Sequence, residues 1–127
     1  MSKLLVLALI AMMSTAVYAK EAFTGTWIGT GMVTFKGKPD PIFCKVRNMN
    51  KAGRVFYSMF TCTIPRLGKG SLTIESEKIN SSKFKGQYKD EYNGNKINLL
   101  AKLKGDKMDV KVSSSSWNGY VNFQKKK

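Results

Sequence analysis

Between residues 24 and 36 the chain alternates without a break: Gly25, Trp27, Gly29, Gly31, Val33 and Phe35 fall on one face, Thr26, Ile28, Thr30, Met32, Thr34 and Lys36 on the other. A period of two held this long means a β-strand, because successive side chains of an extended chain point to opposite sides. Glycine at every second inward position, beside a side chain as large as tryptophan, predicts a strand bent tightly around a narrow interior, as where a barrel closes. Gly25, Trp27, Gly29 and Gly31 are the expected barrel-closing set, with Trp27 packed as core at one end.

The same period recurs down the chain. After a break at 37–41, where Gly37, Pro39 and Pro41 turn the backbone, Ile42, Cys44 and Val46 alternate with Phe43, Lys45 and Arg47. A turn at 48–53 leads to a third strand with Phe56, Phe60, Cys62 and Ile64 in phase, so the cysteines sit on neighbouring strands. Leu72 and Ile74 mark a fourth strand past a turn at 65–70, and Phe84, Gly86 and Tyr88 a fifth past Asn80, Ser81 and Ser82. Asn93-Gly94, a strong hairpin signal, opens onto a sixth with Ile97, Leu99, Ala101 and Leu103. Met108, Val110 and Val112 make a seventh beyond Gly105-Asp106, and Gly119, Val121 and Phe123 an eighth beyond the serines at 113–116. No segment has helical periodicity. The pattern predicts an all-β fold, a single small antiparallel up-and-down barrel of about eight strands or a closely related sandwich. The interior of such a barrel is nearly filled by side chains or holds one small ligand.

Lys3, an apolar run at 4–13 and Val17-Tyr18-Ala19 follow the order of a cleavable signal peptide. An apolar run of about ten residues is too short for a membrane span, which needs roughly 20. Residues 1–19 are therefore expected to be removed, leaving one barrel domain at 20–127 in the periplasm or the medium, with no transmembrane segment in the mature chain. The two cysteines, Cys44 and Cys62, both fall in that domain, and an even count in an exported chain reads as a disulfide.

Lys3 is one of 22 basic residues, so the mature domain keeps 21 against 8 acidic ones, a net charge of +13. Such a surface attracts anionic partners. Only Arg47, Arg54 and Arg66 are arginines, whereas recognition of carboxylate or phosphate in a fixed geometry usually enlists the guanidinium fork. The lysines have a pattern of their own. Lys83, Lys85 and Lys89 take the outward face of the fifth strand, Lys96, Lys102 and Lys104 that of the sixth, and Lys111 follows on the seventh. Strands paired in sequence order would join them into one basic wall, extended by Lys125, Lys126 and Lys127, although lysines also serve to block edge pairing.

The run Gly25-Thr26-Trp27-Ile28-Gly29-Thr30-Gly31 resembles the first strand of calycin-like barrels, where a Gly-Xaa-Trp motif closes the base. Together with Cys44, Cys62 and Phe84-Lys85-Gly86-Gln87-Tyr88, it makes the mature chain similar to a family of small exported bacterial barrel proteins of uncharacterised function. That resemblance implies the barrel and the disulfide and carries no activity. The opening also resembles nitrobindin-like barrels, but those ligate haem iron through a histidine and this chain has none. Avidin-like pockets need tryptophans on several strands, and only Trp27 and Trp117 exist.

Without histidine the commonest general base and nitrogen metal ligand are missing. The cysteines are taken by the disulfide. The eight carboxylates, Glu21, Asp40, Glu75, Glu77, Asp90, Glu91, Asp106 and Asp109, fall mostly in turns or on polar faces where a solvated charge is expected. Transition-metal sites want His or Cys clusters, and the 90–93 turn lacks the ligand count of a calcium loop. No enzyme, metal or cofactor is expected. Tyr92 and Tyr120 are the rings placed for stacking on a nucleic acid or sugar, but export leaves nucleic acid as a non-specific partner only.

The leading expectation is a non-enzymatic binding module presenting the lysine wall to an anionic envelope component or an acidic protein surface, including a host protein if the bacterium is host-associated. A carrier holding a small apolar ligand in the barrel lumen is the alternative, and a small single-disulfide protease inhibitor a third.

Overall fold

A computed structural model describes residues 22–89 and 95–126. The expected signal peptide and Glu21, the expected Asn93-Gly94 turn, Asp90, Glu91, Tyr92 and Lys127 lie outside the described residues.

Period-two patterning becomes eight strands: β1 (Gly25–Phe35), β2 (Lys38–Ala52), β3 (Val55–Ile64), β4 (Gly68–Asn80), β5 (Lys83–Lys89), β6 (Lys96–Lys104), β7 (Lys107–Ser113) and β8 (Trp117–Lys125). Each pairs antiparallel with its sequence neighbours, and β8 returns to β1 to close the barrel. Closure depends on two glycines. A Cβ added at Gly31 would run into the carbonyl of Tyr120 on β8, and one at Gly29 would lie 2.8 Å from Phe123 Cδ1 and Val121 Cγ1. Gly25, expected on the inward face, is instead exposed and has a φ of 104°, so its part is to let the chain turn into β1.

The two ends of the barrel differ because their inward residues differ in size. At the end where the chain enters, Phe23 packs on Phe56 and Phe84 with ring centroids 6.0 and 5.2 Å away, and Phe56 meets Phe84 edge-on at 4.8 Å. Trp27, Met108 and Phe123 complete this plug, and all are buried. Aromatic contacts of this kind add about 0.5–1.5 kcal/mol each beyond the area they bury. Asn48 is sealed in with them, its Nδ2 donating to the Phe23 carbonyl at 2.8 Å and so fixing the entering chain across the base.

Two expected turns are in fact strand. Residues 38–41 belong to β2, and so does Asn48. The prolines mislead here for a physical reason. The ladder between β2 and β3 begins only at Phe43 and Thr63, so Pro39 and Pro41, two residues apart and in the same phase, stand where β2 pairs with β1 alone. An edge segment tolerates the missing donors.

Candidate functional site: the open half of the lumen

Above the aromatic plug most lining positions carry small or branched side chains, with Phe60, Trp117 and Tyr120 as the rings among them. Val33, Ile42, Leu72, Ile97 and Val112 line the wall, and Gly68, Gly70 and Gly119 contribute no side chain at all. They leave a cavity of about 290 Å³, near the lower limit of small-molecule sites, which run from about 300 to 1,000 Å³. Ser71, Trp117 and Tyr120 alone among its lining residues bring a side-chain oxygen or nitrogen, and none brings a charge.

The Cys44–Cys62 disulfide forms part of this wall. Its cysteines are directly opposed on β2 and β3, with Cα atoms 4.1 Å apart. The barrel is least continuous beside the cavity. β5 pairs with β4 only between Glu75 and Asn80, so among the described residues the 68–74 segment of β4 is in a ladder with β3 alone.

At the mouth stands an ion pair that the sequence pattern hid. Arg66 Nε and Nη2 donate to Asp40 Oδ1 and Oδ2 at 3.1 and 2.7 Å, a two-pronged contact between the β3–β4 turn and β2. Asp40 is buried, contrary to the expectation of a solvated carboxylate, and its bond to Arg66 holds that guanidinium's pKa above the usual arginine value. The signal was present: Asp40 lies two residues before Ile42 and in phase with Ile42, Cys44 and Val46, but the flanking prolines read as a turn.

The seven lysines of the expected wall on β5, β6 and β7 are exposed, on strands that do pair in sequence order, while Lys125 is half-buried. Lys83 faces Lys102 and Lys89 faces Lys96 across the β5–β6 ladder. The wall is not purely basic. Lys85 stands opposite Glu77 on β4 and Lys102 opposite Asp109 on β7, while Lys111 lies between Leu100 and Tyr120. Leu100 and Tyr120 are 41% and 48% exposed. Glu75 faces outward with Glu77, and its Oε1 is 3.3 Å from Lys51 Nζ. Of the glycine and tryptophan set, Gly31 and Trp27 act structurally at closure and base, and neither lines the cavity.

No protein-family model and no curated protein sequence matches the chain. Solved structures do match. The chain is similar to a de novo designed fluorescence-activating β-barrel at 13% identity over 85% of this chain and 97% of that one, with a TM-score of 0.63. A redesigned β-barrel, mFAP1, bound to DFHBI, matches at 10% identity over 84% and 98%, with a TM-score of 0.67. A fatty acid binding protein of Schistosoma mansoni in complex with arachidonic acid matches at 13% identity over 84% and 97%, with a TM-score of 0.51. At these identities the likeness is one of fold, a closed eight-stranded antiparallel β-barrel.

Proposed function

We propose that the protein is an exported, non-enzymatic carrier that holds a small apolar ligand in the open half of its lumen. The observation that carries this reading is the uncharged cavity of about 290 Å³ above a base sealed by Phe23, Trp27, Phe56 and Phe84. Well-packed interiors leave few voids larger than a water molecule. Four large buried rings, those of Phe23, Trp27, Phe56 and Phe84, are gathered at the opposite end and do not fill it. Among the similar barrels, mFAP1 is bound to DFHBI and the S. mansoni protein to arachidonic acid. Export fits the same reading, since disulfides such as Cys44–Cys62 persist in oxidising compartments. The lumen therefore takes precedence over the lysine wall as the primary site.

A homologous series of straight-chain alcohols tests this by displacing an environment-sensitive apolar dye. Each methylene transferred from water contributes about 0.8 kcal/mol, so affinity should rise about fourfold per carbon until the tail outgrows the cavity. Val112→Phe, which fills the cavity from β7, should remove binding without lowering the thermal midpoint. Flat affinity along the series, or full binding by the filled variant, would sink the carrier reading.

A second reading is favoured by one observation. Directly opposed like charges destabilise a sheet, yet Lys83–Lys102 and Lys89–Lys96 are such pairs. We read the wall as a secondary surface for an anionic envelope component or an acidic protein.

A further inference from the structure

A lumen lined only by apolar and neutral residues leaves the polar part of an amphipathic ligand no charged partner inside the barrel. Its head group therefore has to remain at the mouth, where Arg66 stands at the tip of the β3–β4 turn. The turn is closed by Leu67 N donating to the Ile64 carbonyl at 2.9 Å. Ile64 and Gly68, two residues before and two after Arg66, both line the cavity, as does Ile42, two residues beyond Asp40. The ion pair thus sits at the rim of the lumen.

A guanidinium has five N–H donors. Asp40 occupies one on Nε and one on Nη2, which leaves three, and the Arg66 side chain is 58% exposed. Asp40 also fixes the plane of the fork, so the remaining donors are already oriented when a ligand arrives. Held arginines recognise carboxylates in a defined geometry, which flexible lysines do not. Lys36, Lys38, Lys69, Lys89 and Lys96 lie at the same end of the barrel, where Asp40 is the one carboxylate among the described residues. Their field attracts an anion and repels a cation.

We propose that the lumen takes amphipathic carboxylates tail first, with the carboxylate held at the rim by the outward-facing donors of Arg66 and Asp40 acting as the residue that positions them. This rests on the carrier reading above and adds the ligand's chemical class and its direction of entry.

The test compares three probes with the same tail: decanoate, decan-1-ol and decyltrimethylammonium. Decanoate should bind at least tenfold more tightly than the alcohol, and the ammonium more weakly than either. Arg66→Gln should remove the decanoate preference and leave decan-1-ol affinity unchanged. Because that change strands the buried Asp40, the measurement is repeated in the Asp40→Asn/Arg66→Gln double variant, with decan-1-ol binding reporting an intact lumen. Arg54→Gln, at the β2–β3 turn of the closed end, removes the same charge and should have little effect. Equal binding of decanoate and decan-1-ol, or equal losses from the Arg66 and Arg54 variants, overturns the head-group proposal and leaves the carrier standing. If none of the three probes binds, the carrier reading falls with it.

Discussion

Glycine serves two opposite purposes on this barrel wall, and the difference can be measured at single residues. At Gly31 an added methyl group would meet the backbone of β8, which cannot retreat without opening the barrel. At Gly70 nothing lies within 4 Å of the same added atom, and its φ is not in the left-handed region. Overpacking a closed site costs about 1–3 kcal/mol, more where the obstacle is main chain. Replacing an unstrained glycine stabilises by about 0.4–1 kcal/mol through the unfolded chain. Gly31→Ala should therefore lose about 3 kcal/mol or more in urea denaturation, while Gly70→Ala should hold or gain stability. A Gly31→Ala variant of unchanged midpoint would mean that β1 and β8 are not in the close contact described. Asp40 teaches the same lesson for a charged residue: its phase, not its type, decided that it would be buried.

Among the elements, the β2–β3 pair carries the covalent link. Cys44 and Cys62 close a loop with a sequence separation of 18, worth about 3 kcal/mol in the chain-entropy model. Removing a native disulfide from a small exported domain typically costs about 2–5 kcal/mol. The Cys44→Ala/Cys62→Ala variant should show a loss of that size in chemical denaturation. Intact mass of the exported protein should correspond to residues 20–127 with no thiol reactive after unfolding without reductant. Two reactive thiols, or a mass that retains residues 1–19, would contradict the expected maturation. Next to this pair, β4, whose Gly70 lies across from Cys62, runs past the end of its ladder with β5. The cavity is thus braced by a disulfide and bordered beside it by strand that, among the described residues, pairs along one edge only.

For the molecule as a whole, charge and cavity answer to different forces, so salt separates them. Fields from exposed lysines are screened beyond about 8 Å at physiological ionic strength, whereas burial of an apolar tail is not. If the β5–β7 wall binds an anionic surface, association with vesicles rich in anionic lipid should fall steeply with salt. Lys83→Glu/Lys85→Glu/Lys89→Glu should then lose most of it, while the same reversal at Lys45, Arg47 and Arg54, elsewhere on the barrel, changes net charge equally and should matter much less. Thermal midpoints should barely move in either variant, because exposed substitutions usually stay within about 0.5 kcal/mol each. Equal losses would mean that only total charge counts.

The eight strands and the inward phase of most of their residues were legible in the sequence because each is local, although Gly25 and Asp40 departed from that reading. An extended chain alternates with a period of two, and turns announce themselves through Gly, Asn and Ser. Trp27 as core followed from its place in that alternation, and its burial is complete. Tertiary structure decided what periodicity cannot express. Whether Pro39 and Pro41 break a strand depends on which neighbour β2 has at that height. Asp40 acquires Arg66, 26 residues away, only when β2 and β3 lie side by side. The cavity arises because the rings of Phe23, Trp27, Phe56, Phe84 and Phe123 converge at one end, while the other is lined mostly by valines, isoleucines and glycines beside Phe60, Trp117 and Tyr120. Each strand reveals which of its residues face inward; only closure of the barrel determines which of those meet at the same height, and a volume left empty between eight strands belongs to none of them alone.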